Sequence, residues 1–245
     1  NTNKLINKVL QLNEVNSDDE IDIIYTKVIQ LFKNREINSN NWMMLVINVM
    51  QCVEDVDDLN GNEKKELAIE VIIKIIPQLN QQNNEIVDKL LNRESLTTTI
   101  DLVISASKGQ LDLNKIKKKL FKCFLGCMTS QNILLNNNID QDIEFYKNTL
   151  ESFKNKEINI SNWMMIITKV IQDVEKVTNI NGPEKKDFAI QITIKIYKEL
   201  DLNNPELDLL FTHTSLSSVV DTLISVSKNK IKLNPKIDAR KKFKK

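Results

Sequence analysis

The chain repeats itself after 121 residues, and this repeat constrains its fold more than any other feature. The shift places Trp42 on Trp163, so both tryptophans of the chain stand in the same Trp-Met-Met triplet. Between residues 32–76 and 153–197, 25 of 45 positions are identical without a gap. A deletion in an Asn-rich loop then changes the shift to 120 residues. A repeat of this length indicates a duplicated domain rather than a solenoid of short units.

The apolar residues follow helical spacing. Val46, Val49 and Val53 follow Trp42 on one stripe of a helix, and Met43 begins a second stripe beside it. No segment alternates apolar and polar residues with a period of two, and 4 Gly and 4 Pro are too few for the turns of an all-β fold. We predict an all-α fold with two tandem homologous helical-bundle units of about five to six helices each. The predicted core anchors are Trp42, Met43, Trp163 and Met164.

Start and stop signals divide the first unit into helices near residues 20–35, 41–58, 62–79, 84–92 and 95–108. A further helix near 115–135 would link the units, with the basic tail 235–245 as its counterpart. The predicted organisation is a first repeat unit at 1–113, a basic linking helix at 114–136, and a second repeat unit with a basic C-terminal tail at 137–245.

Small polar residues mark the expected start of the tryptophan helix in each copy. Ser39, Asn40 or Asn41 can cap the helix that begins near Trp42, since their side chains accept hydrogen bonds from unpaired backbone N–H groups. Ser161 or Asn162 can cap its counterpart.

Other signals mark the following helices. An Asn-Gly pair precedes the third helix of each copy, where Glu63 and Glu184 complement the helix dipole. Pro77 is predicted to end this helix in the first copy. Gly109 and Asn229 follow a lysine at the end of the last helix, which fits a left-handed C-cap.

Charge is distributed unevenly along the chain, although the formal net charge is only +1. Residues 1–113 carry −7, 114–135 carry +5, 136–227 carry −5 and 228–245 carry +8. The basic segments are typical of solvated helix faces and frayed tails. They also fit a contact to nucleic acid, to an acidic partner or to an anionic surface, and the sequence leaves both interpretations open.

Two lysine pairs stand at the predicted starts of corresponding helices. Lys64-Lys65 and Lys185-Lys186 occupy positions where a cation opposes the helix macrodipole. This unfavourable placement makes them candidates for contact with a partner. Together with the lysines of the basic segments, the candidate contact surface comprises Lys64, Lys65, Lys185, Lys186, Lys117, Lys118, Lys119, Lys241 and Lys242.

No arrangement of residues in the sequence predicts catalysis or metal binding, and we expect no catalytic residue, cofactor or metal. His213 is the only histidine, and Arg93 takes its place in the first copy, so the repeat does not require an imidazole. Cys123 and Cys127 lie four residues apart without a nearby histidine. Like Cys52, they are predicted to be reduced thiols rather than zinc ligands.

The sequence contains no run of apolar residues long enough to span a bilayer, and its N-terminus lacks the pattern of a signal peptide. We therefore expect a soluble protein that is not secreted. The chain begins without Met, which suggests that an upstream segment was removed.

The segment NWMMLVINVMQCVEDVDDLNGNEKKELAIEVI, followed by TTTIDLVISASKGQLDLN, resembles helical segments of virion and uncharacterised proteins of nucleocytoplasmic large DNA viruses. Residues with A/T-rich codons are frequent, and this usage is similar to that of members that infect amoebae or flagellates. Through its two copies the resemblance covers nearly the whole chain. It implies a virus-encoded structural or assembly role, located in the virion or the host cytoplasm, and it identifies no site residues.

Three hypotheses about function follow. The first is a non-enzymatic structural protein, such as a minor capsid or internal virion component, that bridges other protein chains of an assembly through two similar helical surfaces. The second is a nucleic-acid packaging or regulatory factor that uses 115–122 and 228–245. The third is an enzyme whose pocket combines residues from both copies.

Overall fold

A computed structural model describes residues 17–33, 35–57, 59–80, 84–111, 143–176, 181–231 and 233. Across these ranges every element of regular secondary structure is helical, and no strand occurs in them. The predicted all-α fold class is therefore confirmed. The helices expected near 115–135 and 235–245 lie outside the described residues.

Ten α-helices follow one another in the described ranges, and those in the first half lie close to their predicted positions. The first five are α1 (Ser17–Leu31), α2 (Trp42–Glu54), α3 (Gly61–Leu79), α4 (Glu85–Leu90) and α5 (Arg93–Ser107). The next five are α6 (Ile143–Lys154), α7 (Met164–Val174), α8 (Gly182–Leu200), α9 (Pro205–Leu210) and α10 (His213–Ser227).

The chain forms two compact units whose boundary falls inside α5. The first unit comprises residues up to Thr97 together with Leu233, and the second comprises Thr98–Lys232. This boundary differs from the one expected between residues 113 and 114 on the basis of the repeat. The repeat-based division stays a prediction, because residues 112–142 lie outside the described part.

In the first unit, α1, α2 and α3 pack against one another. The core between them is mostly aliphatic, and Trp42 and Met43 at the start of α2 are each 1% exposed. The α2 helix is apolar over a wide arc, and most of its side chains are accordingly buried in the unit. The indole N–H of Trp42 is buried without a hydrogen-bond partner in the described residues.

The second unit contains a similar group of helices with more aromatic residues. Here α6, α7 and α8 pack against one another, and α10 packs on α7 and α8. Trp163 is 1% exposed and meets Phe211 edge to face, with 5.6 Å between ring centroids. Phe211 also stacks on Tyr197, whose hydroxyl donates a hydrogen bond of 2.6 Å to Asp208. These contacts tie the α9–α10 turn to α8.

Each long third helix begins with the same local structure. Asn60 accepts a hydrogen bond from the N–H of Glu63, and the Glu63 carboxylate accepts one from the N–H of Asn60. Asn181 and Glu184 form the same reciprocal pair at the start of α8. Two backbone donors are satisfied in each case, which extends the predicted dipole interaction of these glutamates to a full capping box.

The predicted caps of the tryptophan helices were wrong. Asn41 makes no side-chain cap, and α7 has Trp163 rather than Ser161 or Asn162 at its N-cap position. Instead, the side chain of Asn41 folds back: its Oδ1 accepts from the Asn38 N–H and its amide donates to the Glu36 carbonyl. Asn162 makes the corresponding bonds: its Oδ1 accepts from the Asn159 N–H at 2.8 Å, and its amide donates to the Glu157 carbonyl at 2.9 Å. These asparagines hold the preceding loop because an Asn side chain can mimic a backbone turn.

The structure corrects the predicted role of Pro77 and confirms the two predicted left-handed C-caps. Pro77 lies inside α3, which continues to Leu79, so the prediction that it ends the helix was wrong. The missing N–H leaves the Ile73 carbonyl without its helical partner, and the 38% exposure of Ile73 leaves this part of the helix open to water. Gly109 and Asn229 have φ values of 67° and 54°, which confirms both left-handed C-caps.

Candidate contact surface

Lys64 and Lys185 each bind the end of the preceding helix. Lys64 Nζ donates a hydrogen bond of 2.6 Å to the backbone oxygen of Glu54, and Lys185 Nζ donates one of 2.9 Å to that of Glu175. A cation at a helix C-terminus stabilises the negative end of the macrodipole. This interaction accounts for the lysines at the starts of α3 and α8. It leaves only 15% and 12% of their side chains exposed.

The second lysine of each pair is also partly covered by the protein. Lys186 Nζ lies 2.7 Å from the carboxylate of Asp221 on α10, and Lys65 is half-buried. The four lysines at the helix starts therefore present less charge to a partner than the sequence pattern indicated. The remaining candidates, Lys117, Lys118, Lys119, Lys241 and Lys242, lie outside the described residues, so the nucleic-acid hypothesis stays a prediction.

The Trp-Met-Met triplet divides between core and surface in the same way in both halves. Trp42 and Met43 are buried, whereas Met44 is 42% exposed. The corresponding tryptophan and first methionine of the second half are buried as well, and Met165 is 45% exposed. A signal for this arrangement was present in the sequence, because the third residue of the triplet lies about 200° around the helix from the first. The predicted core anchors left out this third residue, but its exposure was not among the predictions.

Each exposed methionine begins a narrow surface stripe on an otherwise buried helix. The positions four and seven residues further on are half-buried, and they lie on the same face. We define the Met44 stripe as Met44, Asn48 and Gln51, and the Met165 stripe as Met165, Lys169 and Gln172.

The two stripes share a chemistry suited to contact with another protein. A methionine side chain is flexible and polarisable, so it adapts to irregular apolar surfaces. A glutamine amide stands two turns away in both stripes and can donate and accept hydrogen bonds. The Asn48 amide donates to the backbone oxygen of Met44 at 2.6 Å, which holds it close to the helix.

The middle position differs between the stripes because Lys169 belongs to a polar network. Lys169 and Lys176 lie 2.8 Å and 2.6 Å from the carboxylate of Asp173, which is 7% exposed. Thr149 Oγ1 donates a further hydrogen bond of 3.0 Å to this carboxylate. Burial of Asp173 raises the pKa of its carboxyl. The hydrogen bonds from the two lysines and the threonine together lower this pKa by more than burial raises it, so the net shift is downward.

The remaining residues with metal-binding or nucleophilic side chains are scattered through the described part of the chain. No group of three or more His, Cys, Asp or Glu side chains there has the arrangement of a metal site. His213 lies at the start of α10 with 61% of its side chain exposed and its Nε2 3.4 Å from Asp187. Cys52 is a buried free thiol, and burial raises its pKa. No helix among these residues has the length and apolar character needed to cross a membrane.

Comparison with known proteins gives no relative for the chain. No protein-family model, curated protein sequence or solved structure matches it. The Met44 stripe and the Met165 stripe are therefore defined by geometry and by the internal repeat alone.

Proposed function

We propose that this chain is a non-enzymatic adaptor, built from two tandem copies of one helical bundle, that links partner proteins in an assembly. The observation that carries the proposal is the equal exposure of Met44 and Met165, at 42% and 45%, on helices that are otherwise largely buried. Single exposed apolar side chains are common on protein surfaces, so the support comes from the recurrence of the exposed methionine at the same position of both repeats.

Several local structures support the duplication. The capping boxes at the starts of α3 and α8 and the bonds from Lys64 and Lys185 to the preceding helix recur at a spacing of 121 residues. Lys74 Nζ lies 5.5 Å from the ring centroid of Tyr25, and Lys195 Nζ lies 4.4 Å from that of Tyr146. Equivalent side chains thus make equivalent contacts, which favours two copies of one bundle.

Two linked copies of a weak binding surface suit a bridging role. Once one stripe is bound, the other is held at a high effective concentration near a second partner site. Two exposed methionines with modest individual contributions would then give a long-lived attachment without a large interface.

The resemblance to virion proteins extends this proposal to a structural component of a virus particle, such as a minor capsid or internal virion protein. Mass spectrometry of purified particles tests that extension. Recovery of the chain in stoichiometric amounts supports it, and absence of the chain from the particles would end the virion version while leaving the adaptor proposal in place.

The adaptor proposal is tested with Met44→Ser, Met165→Ser and the double variant in the native assembly. Cross-linking mass spectrometry should show that each single variant loses cross-links around its own stripe, and that the double variant dissociates from the assembly. Ile23→Ser is the control, because Ile23 is a 64% exposed apolar residue on α1 outside both stripes.

The outcomes separate a stripe effect from a general loss of surface apolarity. If the double variant stayed in the assembly with its full set of cross-links, the stripes would not be the contact surface. An equal effect of Ile23→Ser would also contradict the proposal.

A further inference from the structure

The second unit contains a half-open cleft between α7, α8 and α10. Its volume is about 300 Å³. Its floor is apolar and is formed by Ile171, Val174, Ala189, Val220 and Ile224. These aliphatic side chains come from three helices, so the cleft is part of the packed structure of the unit rather than a depression in a loop.

The rim of the cleft carries three lysines and two carboxylates. Lys185 is bound by Glu175, and Lys186 is paired with Asp221. The remaining cation is Lys228, at the end of α10, which is exposed and has no ion pair with a described carboxylate. The rim therefore has a net charge of +1, and its one unmatched charge is positive.

The exposed ion pair between Lys186 and Asp221 can also take part in binding an anion. The carboxylate of Asp221 is 61% exposed, so its pair with Lys186 is well solvated. Such solvated pairs contribute little to stability, so an incoming carboxylate can exchange with Asp221 at little cost. Lys185 is different, because its ammonium group is held by both the carboxylate and the backbone oxygen of Glu175.

The size of the cleft restricts what can fill it. Small-molecule sites usually have volumes of about 300–1,000 Å³ and enclose most of their ligand, so this half-open cleft lies at the lower limit. It is better suited to one large apolar side chain, which is how anchor residues of protein interfaces are buried.

We propose that this cleft binds an acidic peptide segment of a partner protein, with one aromatic or large aliphatic side chain on the apolar floor and a flanking carboxylate on Lys228. The choice of a protein ligand rests on the proposed adaptor function, but the cleft is separate from both methionine stripes. It gives the second unit a partner of defined chemistry.

The first half of the sequence keeps the residue types of both floor and rim. The rim positions correspond to Glu54, Lys64, Lys65, Asp101 and Lys108, which are identical in type to their counterparts. The floor positions correspond to Met50, Val53, Ala68, Ile100 and Ile104, all of them apolar. Glu54 and Lys64 repeat the helix-end contact of Glu175 and Lys185, so it is the retention of Lys65, Asp101 and Lys108 that is consistent with a shared binding role.

The test uses the full chain and a fluorescein-labelled pentapeptide with a central phenylalanine between pairs of aspartates. Fluorescence anisotropy should show saturable binding that weakens with added salt. Lys228→Glu should weaken it about tenfold, because the reversal replaces an attraction with a repulsion. Lys230→Glu is the matched control, since Lys230 is also exposed but does not line the cleft. Ile224→Asp should abolish binding, with circular dichroism to verify that the helices are retained.

Two further probes identify the source of the ligand chemistry. The same peptide with asparagine in place of aspartate should bind weakly, because it lacks the carboxylates. Dodecanoate offers an apolar chain and a carboxylate from a free fatty acid, and it should not displace the peptide.

The proposal is overturned if the acidic peptide shows no saturable binding, if Lys228→Glu and Lys230→Glu have equal effects, or if dodecanoate binds and the peptide does not. Met44→Ser and Met165→Ser should leave peptide binding unchanged. Failure of the cleft proposal can thus be told apart from failure of the adaptor proposal, which depends on the stripes.

Discussion

Thr149 Oγ1 donates a hydrogen bond of 3.0 Å to the carboxylate of Asp173, whereas the corresponding positions in the first half hold Val28 and Cys52. All four side chains are buried. One half therefore fills this place with a polar pair and the other with an apolar pair. The polar pair is tolerated because Lys169 and Lys176 supply further partners to the carboxylate, as a buried charge requires.

Asp173→Ala should lower the free energy of unfolding by about 2 kcal/mol, because it leaves Thr149 and two lysines without their acceptor. Urea denaturation measures the change. The pair found in the first half provides the matched control: Thr149→Val with Asp173→Cys should be more stable than Asp173→Cys alone. If the double substitution gave no gain over the single one, the two positions would not act as a coupled pair.

The same carboxylate should make stability depend on acid pH. Hydrogen bonds keep the folded pKa of Asp173 below its unfolded value, so its contribution is fully present above the unfolded carboxyl pKa of about 3.9 and is lost as the pH falls through the folded value. The difference in unfolding free energy between the wild-type chain and Asp173→Asn should therefore be constant near neutral pH and shrink below about pH 4. A difference that grew on acidification would contradict the assignment.

The Trp-Met-Met triplet should show a sharp contrast between neighbouring residues. Trp42→Ala should cost about 3–5 kcal/mol of unfolding free energy, because it leaves a large cavity in the core. Met44→Ala should cost less than about 1 kcal/mol, since its side chain is already partly in water. Thermal and urea unfolding of both variants test this. A small effect of Trp42→Ala would be incompatible with its burial.

Lys185→Met keeps the aliphatic stem of the lysine and removes its charge. The variant should lose about 1–2 kcal/mol of unfolding free energy, because the charged hydrogen bond to the Glu175 carbonyl disappears. Lys230→Met, at an exposed position, should change stability little. Equal effects of the two substitutions in urea denaturation would show that the bond to the helix end contributes nothing.

The thiol of Cys52 should resist modification in the folded protein. Burial raises its pKa, so little thiolate forms near neutral pH and reagent cannot reach it. In a Cys123→Ser/Cys127→Ser background, Cys52 is the only thiol, and its reaction with a disulfide reagent at pH 8 should follow the unfolding rate. Rapid reaction without denaturant would indicate that α2 opens locally.

Much of the helical framework could be read from local signals. The Asn-Gly pairs at the starts of α3 and α8 and the left-handed caps at Gly109 and Asn229 depend on conformational preferences of a few adjacent residues. Those preferences act whatever the rest of the chain does. The cap predicted at Asn41 was wrong, because an asparagine side chain can bond either forward to the helix or back to the loop.

The environments of Lys64 and of the cleft beside Lys228 could not be predicted from local signals. A cation at the start of a helix, such as Lys64, is unfavourable if only the sequence is considered. Its acceptor, the carbonyl of Glu54, lies ten residues earlier and is brought close to it only by the packing of α2 on α3. The cleft beside Lys228 required three helices to meet. Periodicity shows which residues share a helix face, but it does not show which faces a neighbouring helix covers.

The sequence by itself determined the helical class, most helix ends and the internal repeat, since these follow from backbone preferences and from the spacing of apolar residues. Only the tertiary structure decided that Asp173 is buried beside Lys169 and Lys176, and that Lys64 and Lys185 bind the end of the preceding helix. The physical reason is that burial and charge pairing depend on groups that are distant in the chain and become neighbours only when the helices pack.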